Sequence, residues 1–76
     1  MAIEIFVNRL KREAPQEQMT GAQILALADF GSDHDLFKLQ GEGDRTGGTQ
    51  IAPTETVHLK SGDHFRAIPG NRNFGR

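Results

Sequence analysis

The chain has 76 residues, no cysteine and a formal net charge of −1. That length holds one domain with a small core, which buries only about 60% of the surface its unfolded form exposes. Without cysteine there is no disulfide, no thiolate zinc site and no thioester through the chain's own side chains, and a balanced charge argues against nucleic acid as a partner, since phosphates require clustered cations.

The opening Met1-Ala-Ile-Glu-Ile5 carries a charge at its fourth position, unlike a signal peptide. No apolar run approaches the ~20 residues that span a bilayer. No membrane association is expected, and the cytoplasm is the expected compartment. Ile3, Ile5 and Val7 alternate with Glu4, Phe6 and Asn8, the period of a half-buried strand. The polar stretch from Asn8 to Lys11 follows, then a short run over Arg12–Ala14 closed by Pro15. Proline cannot donate to a ladder, so a hairpin whose second strand is short or at an edge is predicted.

Thr20-Gly-Ala-Gln23 has the form of a capping box, with Met19 and Ile24 placed as a hydrophobic staple across it. Ile24, Leu27 and Ala28, with Leu25 beside them, form one apolar face of a helix predicted over 21–29, with Gly31 as a left-handed stop. Asp35-Leu-Phe-Lys-Leu-Gln40 reads as a third strand with Phe37 and Leu39 on its inner side. Gly41–Gly48 is expected to be a long, mobile hairpin loop. It lacks the Gly-Lys-Ser/Thr ending and following helix of a phosphate-binding loop. Ile51 and Thr56–Leu59 pack locally, Lys60–Asp63 is a turn, and His64–Ile68 is the last strand, ended by Pro69-Gly70.

Hairpin, helix, strand, short irregular segment, strand: this order places the chain in the α+β class. A right-handed crossover through the helix makes the first and last strands parallel neighbours at the centre. The predicted fold is therefore a β-grasp, a mixed four- to five-stranded sheet with one helix packed across it. Residues 1–69 are expected to form the domain and 70–76 a flexible tail. The predicted core is Ile3, Ile5, Val7, Ile24, Leu27, Ala28, Leu39, Val57, Leu59, Phe65 and Ala67, with Phe37.

Ile5-Phe-Val-Asn-Arg-Leu10 resembles the opening strand and turn of ubiquitin. Thr20-Gly-Ala-Gln-Ile-Leu-Ala-Leu-Ala28, Asp35-Leu-Phe and Val57-His-Leu-Lys-Ser-Gly-Asp-His-Phe-Arg66 resemble bacterial ubiquitin-like domains of the multiubiquitin type. The resemblance spans roughly residues 2 to 69. It implies a modifier acted on by an activating enzyme, a conjugating enzyme and a metalloprotease-like deconjugating peptidase, and joined to target proteins. It implies no enzyme activity, no catalytic residue and no cofactor in this chain, and a monomer is the expected state.

Ubiquitin-like modifiers usually end in two glycines, whereas here Phe74 precedes a single Gly75 and Arg76 follows it. The resemblance therefore implies either a precursor from which Arg76 is removed, so that the Gly75 carboxylate can be activated, or a modifier with altered terminal chemistry. Glycine without Cβ lets the backbone approach a reacting centre closely. Arg72 and Phe74 are the candidate residues for holding the tail in a partner's groove. Two other classes remain open, an interaction module that is never conjugated and a sulfur carrier whose terminal glycine becomes a thiocarboxylate.

With the inward residues assigned as above, Phe6, Leu36, Arg66 and Ile68 fall on the outer sheet face, with Leu10 in the adjoining turn. Clustered exposed apolar groups mark binding surfaces, and these five residues form the candidate partner-binding patch. His34, His58 and His64 match no metal-ligand spacing, and no metal is expected. Ser61, Asp63 and His64 are more simply turn residues than a hydrolytic set.

Overall fold

The computed structural model of this protein describes residues 3–41 and 43–70. Strands β1 (Ile3–Val7) and β2 (Leu10–Ala14) precede a short strand β3 (Gln18–Thr20), which runs directly into helix α1 (Gly21–Leu27). Strands β4 (His34–Leu39), β5 (Thr49–Ile51), β6 (Thr56–His58) and β7 (Asp63–Pro69) complete the described chain. Five strands form one sheet in the order β2-β1-β7-β4-β5, and β3 pairs with β6 in a second, two-stranded sheet. β1 and β7 are the parallel central pair, while β1–β2, β4–β7 and β4–β5 are antiparallel. This is the predicted β-grasp.

The β1–β2 hairpin turns through Asn8 and Arg9, whose φ values of 53° and 69° are both left-handed. A two-residue turn of that kind matches the right-handed twist of its strands, and asparagine tolerates the conformation better than most residues. It leaves β2 as the edge strand expected of a run that ends at Pro15.

The capping box forms as predicted. The Gln23 backbone N–H donates to Thr20 Oγ1 at 3.2 Å, and the Thr20 N–H donates to Gln23 Oε1 at 2.9 Å. Two more free amides at this end are taken by a neighbouring loop, Gly21 N–H by the Glu55 carbonyl and Ala22 N–H by the Pro53 carbonyl, each at 3.0 Å. That contact brings the helix so near the loop that a Cβ on Gly21 would lie 2.5 Å from the Ala52 carbonyl oxygen. Met19 and Ile24 are both buried in the same core cluster, as a staple requires.

At its other end the helix stops two residues earlier than predicted. Asp29, with φ 67°, takes the left-handed position assigned to Gly31. The Phe30 N–H then donates to the Leu25 carbonyl (2.8 Å) and the Asp29 N–H to the Ala26 carbonyl (3.0 Å), a Schellman closure that needs no glycine.

The core lies between α1 and the inner face of the large sheet. Ile5, Val7, Ile24, Leu36, Leu59 and Phe65 are its largest fully buried side chains. Ile3, Leu27 and Val57 pack against it partly buried. Leu39 and Phe37 are not in it, a difference that comes from β4. Leu36 pairs with Ala67 on one side and Ile51 on the other, and all three are buried. Phe37 pairs with Arg66 and Gln50, and Leu39 with His64, so these two face outward. Alternation within Phe37-Lys-Leu39 points to the wrong side because strand faces are set by register, and a one-residue offset exchanges them. Lys38 shares the inner face and reaches its end to approach Asp63 at 3.9 Å.

Candidate functional site

The outer face of the sheet is built in rows across its strands. Phe6 of β1, His64 of β7 and Leu39 of β4 form one row, and Arg66, Phe37 and Gln50 form the next. Ile68 stands opposite Asp35 beyond them. The Phe6 and His64 rings stack with centroids 4.7 Å apart and planes 10° from parallel. Phe6, Phe37, Leu39 and Ile68 are all partly exposed.

The predicted patch is therefore corrected at two positions. Leu36 is 1% exposed, facing the core, and no partner can touch it. Leu10 is the first residue of β2 rather than part of a turn, and its pairing with Val7 places it on the helix side, 53% exposed. Phe6, Arg66 and Ile68 do share the outer face. Phe37 and Leu39, read from sequence as core, join them there. The signal that identifies them is the pairing of β4 with β7, which a single strand's pattern does not contain.

Asn8 ties this face together. Its Nδ2 donates to the Ala67 carbonyl at 3.0 Å, its Oδ1 accepts from the Ala67 N–H at 2.9 Å, and its own N–H donates to the Phe65 carbonyl at 3.0 Å. The side-chain amide thus continues the parallel β1–β7 ladder past the end of β1, into the half of β7 that leads out of the domain. Asn8→Gly keeps the turn conformation and removes both side-chain bonds, leaving a part-buried N–H and carbonyl without partners. At about 1 kcal/mol per bond, it should lower unfolding stability by about 2 kcal/mol in urea titration and speed hydrogen exchange at Ala67. Unchanged stability and exchange would show that the amide contributes nothing.

Beside the stack, an open cleft of about 260 Å³ is lined by Asn8, Arg9, Leu39, Asp44, His64 and Arg66, among others. Asp44 comes from the β4–β5 loop, which it organises. Its carboxylate accepts from the Gln40 N–H (2.8 Å), the Thr46 N–H (2.8 Å) and the Thr46 hydroxyl (2.6 Å). The Thr46 hydroxyl, then the two backbone donors, hold the Asp44 carboxyl below its ordinary range. A depressed folded pKa means that the loop's gain is complete at neutral pH and fades as pH falls through that lowered value. Asp44 thus ties residues on both sides of it, Gln40 and Thr46, together within the expected hairpin loop.

The histidines do not converge. His34 is bonded to Asp33 at 3.0 Å and lies against the Phe30 ring, His58 is exposed on β6, and His64 belongs to the outer-face stack. No three His, Asp or Glu side chains among the described residues are grouped to hold a metal. Among the same residues no helix is long and apolar enough to cross a membrane. Gly75, Arg76, Arg72 and Phe74, the candidate processing and tail-binding positions, lie outside the described residues.

A family model described as multiubiquitin matches residues 3–68. The chain belongs to the multiubiquitin family. The match runs from the first residue of β1 to within one residue of the end of β7, so this multiubiquitin domain is the whole β-grasp unit. Comparisons with curated proteins and with solved structures returned no match. Within this family's ubiquitin-like fold, the outer sheet face brings together an aromatic stack, an adjoining cleft and two arginines.

Proposed function

We propose that this multiubiquitin-family domain is a protein modifier of a bacterial ubiquitination-like pathway in the cytoplasm, handled by enzymes rather than acting as one. Water cleaves the bond after Gly75 in a metalloprotease-like peptidase, releasing Arg76. The freed carboxylate, a poor electrophile, attacks the α-phosphate of ATP in an activating enzyme, forming the acyl-adenylate and releasing pyrophosphate. A thiolate of that enzyme displaces the nucleotide, and transfer through a conjugating enzyme joins the glycine carbonyl to a nucleophile on a target protein. Dividing the acyl transfer through covalent intermediates lowers each barrier. In this scheme residues 1–69 are the recognised body and 70–76 the reactive tail.

The observation that carries this reading is the family membership, taken with the position of β7. That strand is central in the sheet, bears Arg66 and Ile68 on the outer face, and runs straight into the segment that contains Gly75. An enzyme gripping the outer face therefore sits at the root of the tail. Intact-protein and peptide mass spectrometry of the chain from its native host tests the proposal. The expected result is a form ending at Gly75, together with branched peptides in which Gly75 is bonded to target side chains. A wholly unmodified chain would sink the proposal. It would favour a second reading, a non-conjugated interaction module, which the outer-face surface also supports. Replacement of one terminal oxygen by sulfur would instead identify a sulfur carrier.

A further inference from the structure

The outer face holds more than apolar side chains. Arg9, set in the left-handed β1–β2 turn, and Arg66, on β7, both line the cleft beside His64 and Leu39. Neither guanidinium has a carboxylate partner among the described residues. Asp44 also lines the cleft and keeps its negative charge at neutral pH. Its two oxygens, however, accept three hydrogen bonds from its own loop rather than pairing with an arginine, and the two arginines exceed it by one positive charge. Two permanently charged residues with planar, forked donors thus line one concavity. Such forks match carboxylate oxygens closely, and charge-assisted bonds of this kind are roughly twice as strong as neutral ones.

The surroundings indicate what carries the anion. At about 260 Å³ the cleft is smaller than the roughly 300–1,000 Å³ typical of small-molecule pockets. Phe6 and Phe37 pair with its lining residues His64 and Arg66, adding apolar surface that a free anion would leave uncovered. A peptide segment supplies both parts.

We propose that the cleft selects partner proteins by a carboxylate: the docking segment presents an Asp or Glu side chain to Arg9 and Arg66, with an adjacent apolar side chain on Leu39 and the Phe6–His64 stack. This rests on the reading of the outer face as a partner's docking surface and adds the chemistry of the partner.

A random eight-residue peptide library displayed on phage, selected on the intact protein and in parallel on the Arg9→Gln/Arg66→Gln variant, tests it. Urea midpoints of the two proteins confirm that both are folded. The expected result is enrichment of peptides pairing Asp or Glu with an apolar residue on the unaltered protein, and loss of that enrichment on the variant. The leading peptide should bind about tenfold more weakly when its acid is changed to the amide, equivalent to about 1.4 kcal/mol, and less tightly as salt is raised. Arg66→Lys, which keeps the charge without the fork, should recover only part of the affinity. Acidic enrichment that persists on the double variant, apolar peptides enriched without an acid, or no enrichment at all would each overturn the inference. Because Gly75 conjugation is read separately by mass, the carboxylate preference can fail while the modifier reading stands, and the reverse also holds.

Discussion

Leu36→Ala should be among the most damaging single substitutions in the domain. Leu36 is 1% exposed and packs between two buried neighbours, Ala67 and Ile51, on the adjoining strands. Removing a buried leucine side chain costs about 2–5 kcal/mol, depending on how far the site collapses. At about 0.05–0.15 kcal/mol per residue, a domain of 76 residues can lose half of its stability or more by this one change. Leu39→Ala, three residues along the same strand but partly exposed on the outer face, should cost about 1 kcal/mol or less, as surface changes do. Urea denaturation of the two variants side by side is the measurement. Equal losses, or a larger loss for Leu39, would mean that β4 presents its other face to the helix.

The second large effect is expected at Gly48. Its φ of 83° lies where side-chain-bearing residues rarely go, and a Cβ there would overlap the Lys38 carbonyl oxygen and lie 2.9 Å from Leu39 Cδ2. Gly48→Ala therefore combines about 1–2 kcal/mol of backbone strain with an overpacking cost of about 1–3 kcal/mol. The opposing atom belongs to the backbone of β4 and cannot swing aside. Gly47 provides the comparison, for its φ is 91° but nothing lies within 4 Å of its Cβ position. Gly47→Ala should show the strain alone. The difference between the two urea midpoints measures how closely the loop approaches β4, and identical midpoints would exclude a close approach. Because the same loop carries Asp44 into the cleft, Gly48→Ala should also disturb the amide resonances of Gln40 and Thr46, while Gly47→Ala should leave them in place.

Both experiments probe contacts that span strands, and that is where reading the chain residue by residue reached its limit. The capping box at Thr20–Gln23 needs only four consecutive residues, and it formed as predicted. The alternation in β1 was equally secure, since Ile5 and Val7 point inward and Phe6 outward, as read. The parallel pairing of the first and last strands followed from the handedness of crossovers, a rule that holds whatever the side chains. The left-handed end of the helix was assigned to Gly31 because glycine is the usual occupant. Asp29 takes it instead, two residues earlier, where the closing bonds to Ala26 and Leu25 become available.

The outer face was legible in outline only. Phe6, Arg66 and Ile68 were placed on it from the patterns of their own strands, whereas Leu36, Phe37 and Leu39 were assigned to the wrong sides. Asn8 was read as part of a polar turn, and nothing in its neighbours in sequence indicates that its amide would pair with Ala67, 59 residues away. The cleft, likewise, joins the β1–β2 turn, β4, its following loop and β7.

Within the order of its residues this chain already carries its class, its helix start, its central strand pair and the glycine-bearing segment after β7. These depend on interactions a few residues long or on the handedness of L-amino acids, and both are local properties. Which side of β4 enters the core, how Met19 and Ile51 come to be buried there, and which side chains meet around the cleft were decided by pairing between distant strands. Adjacent apolar residues such as Leu36 and Phe37 suit either face of a pleated strand about equally, so the choice falls to the neighbours that folding brings alongside.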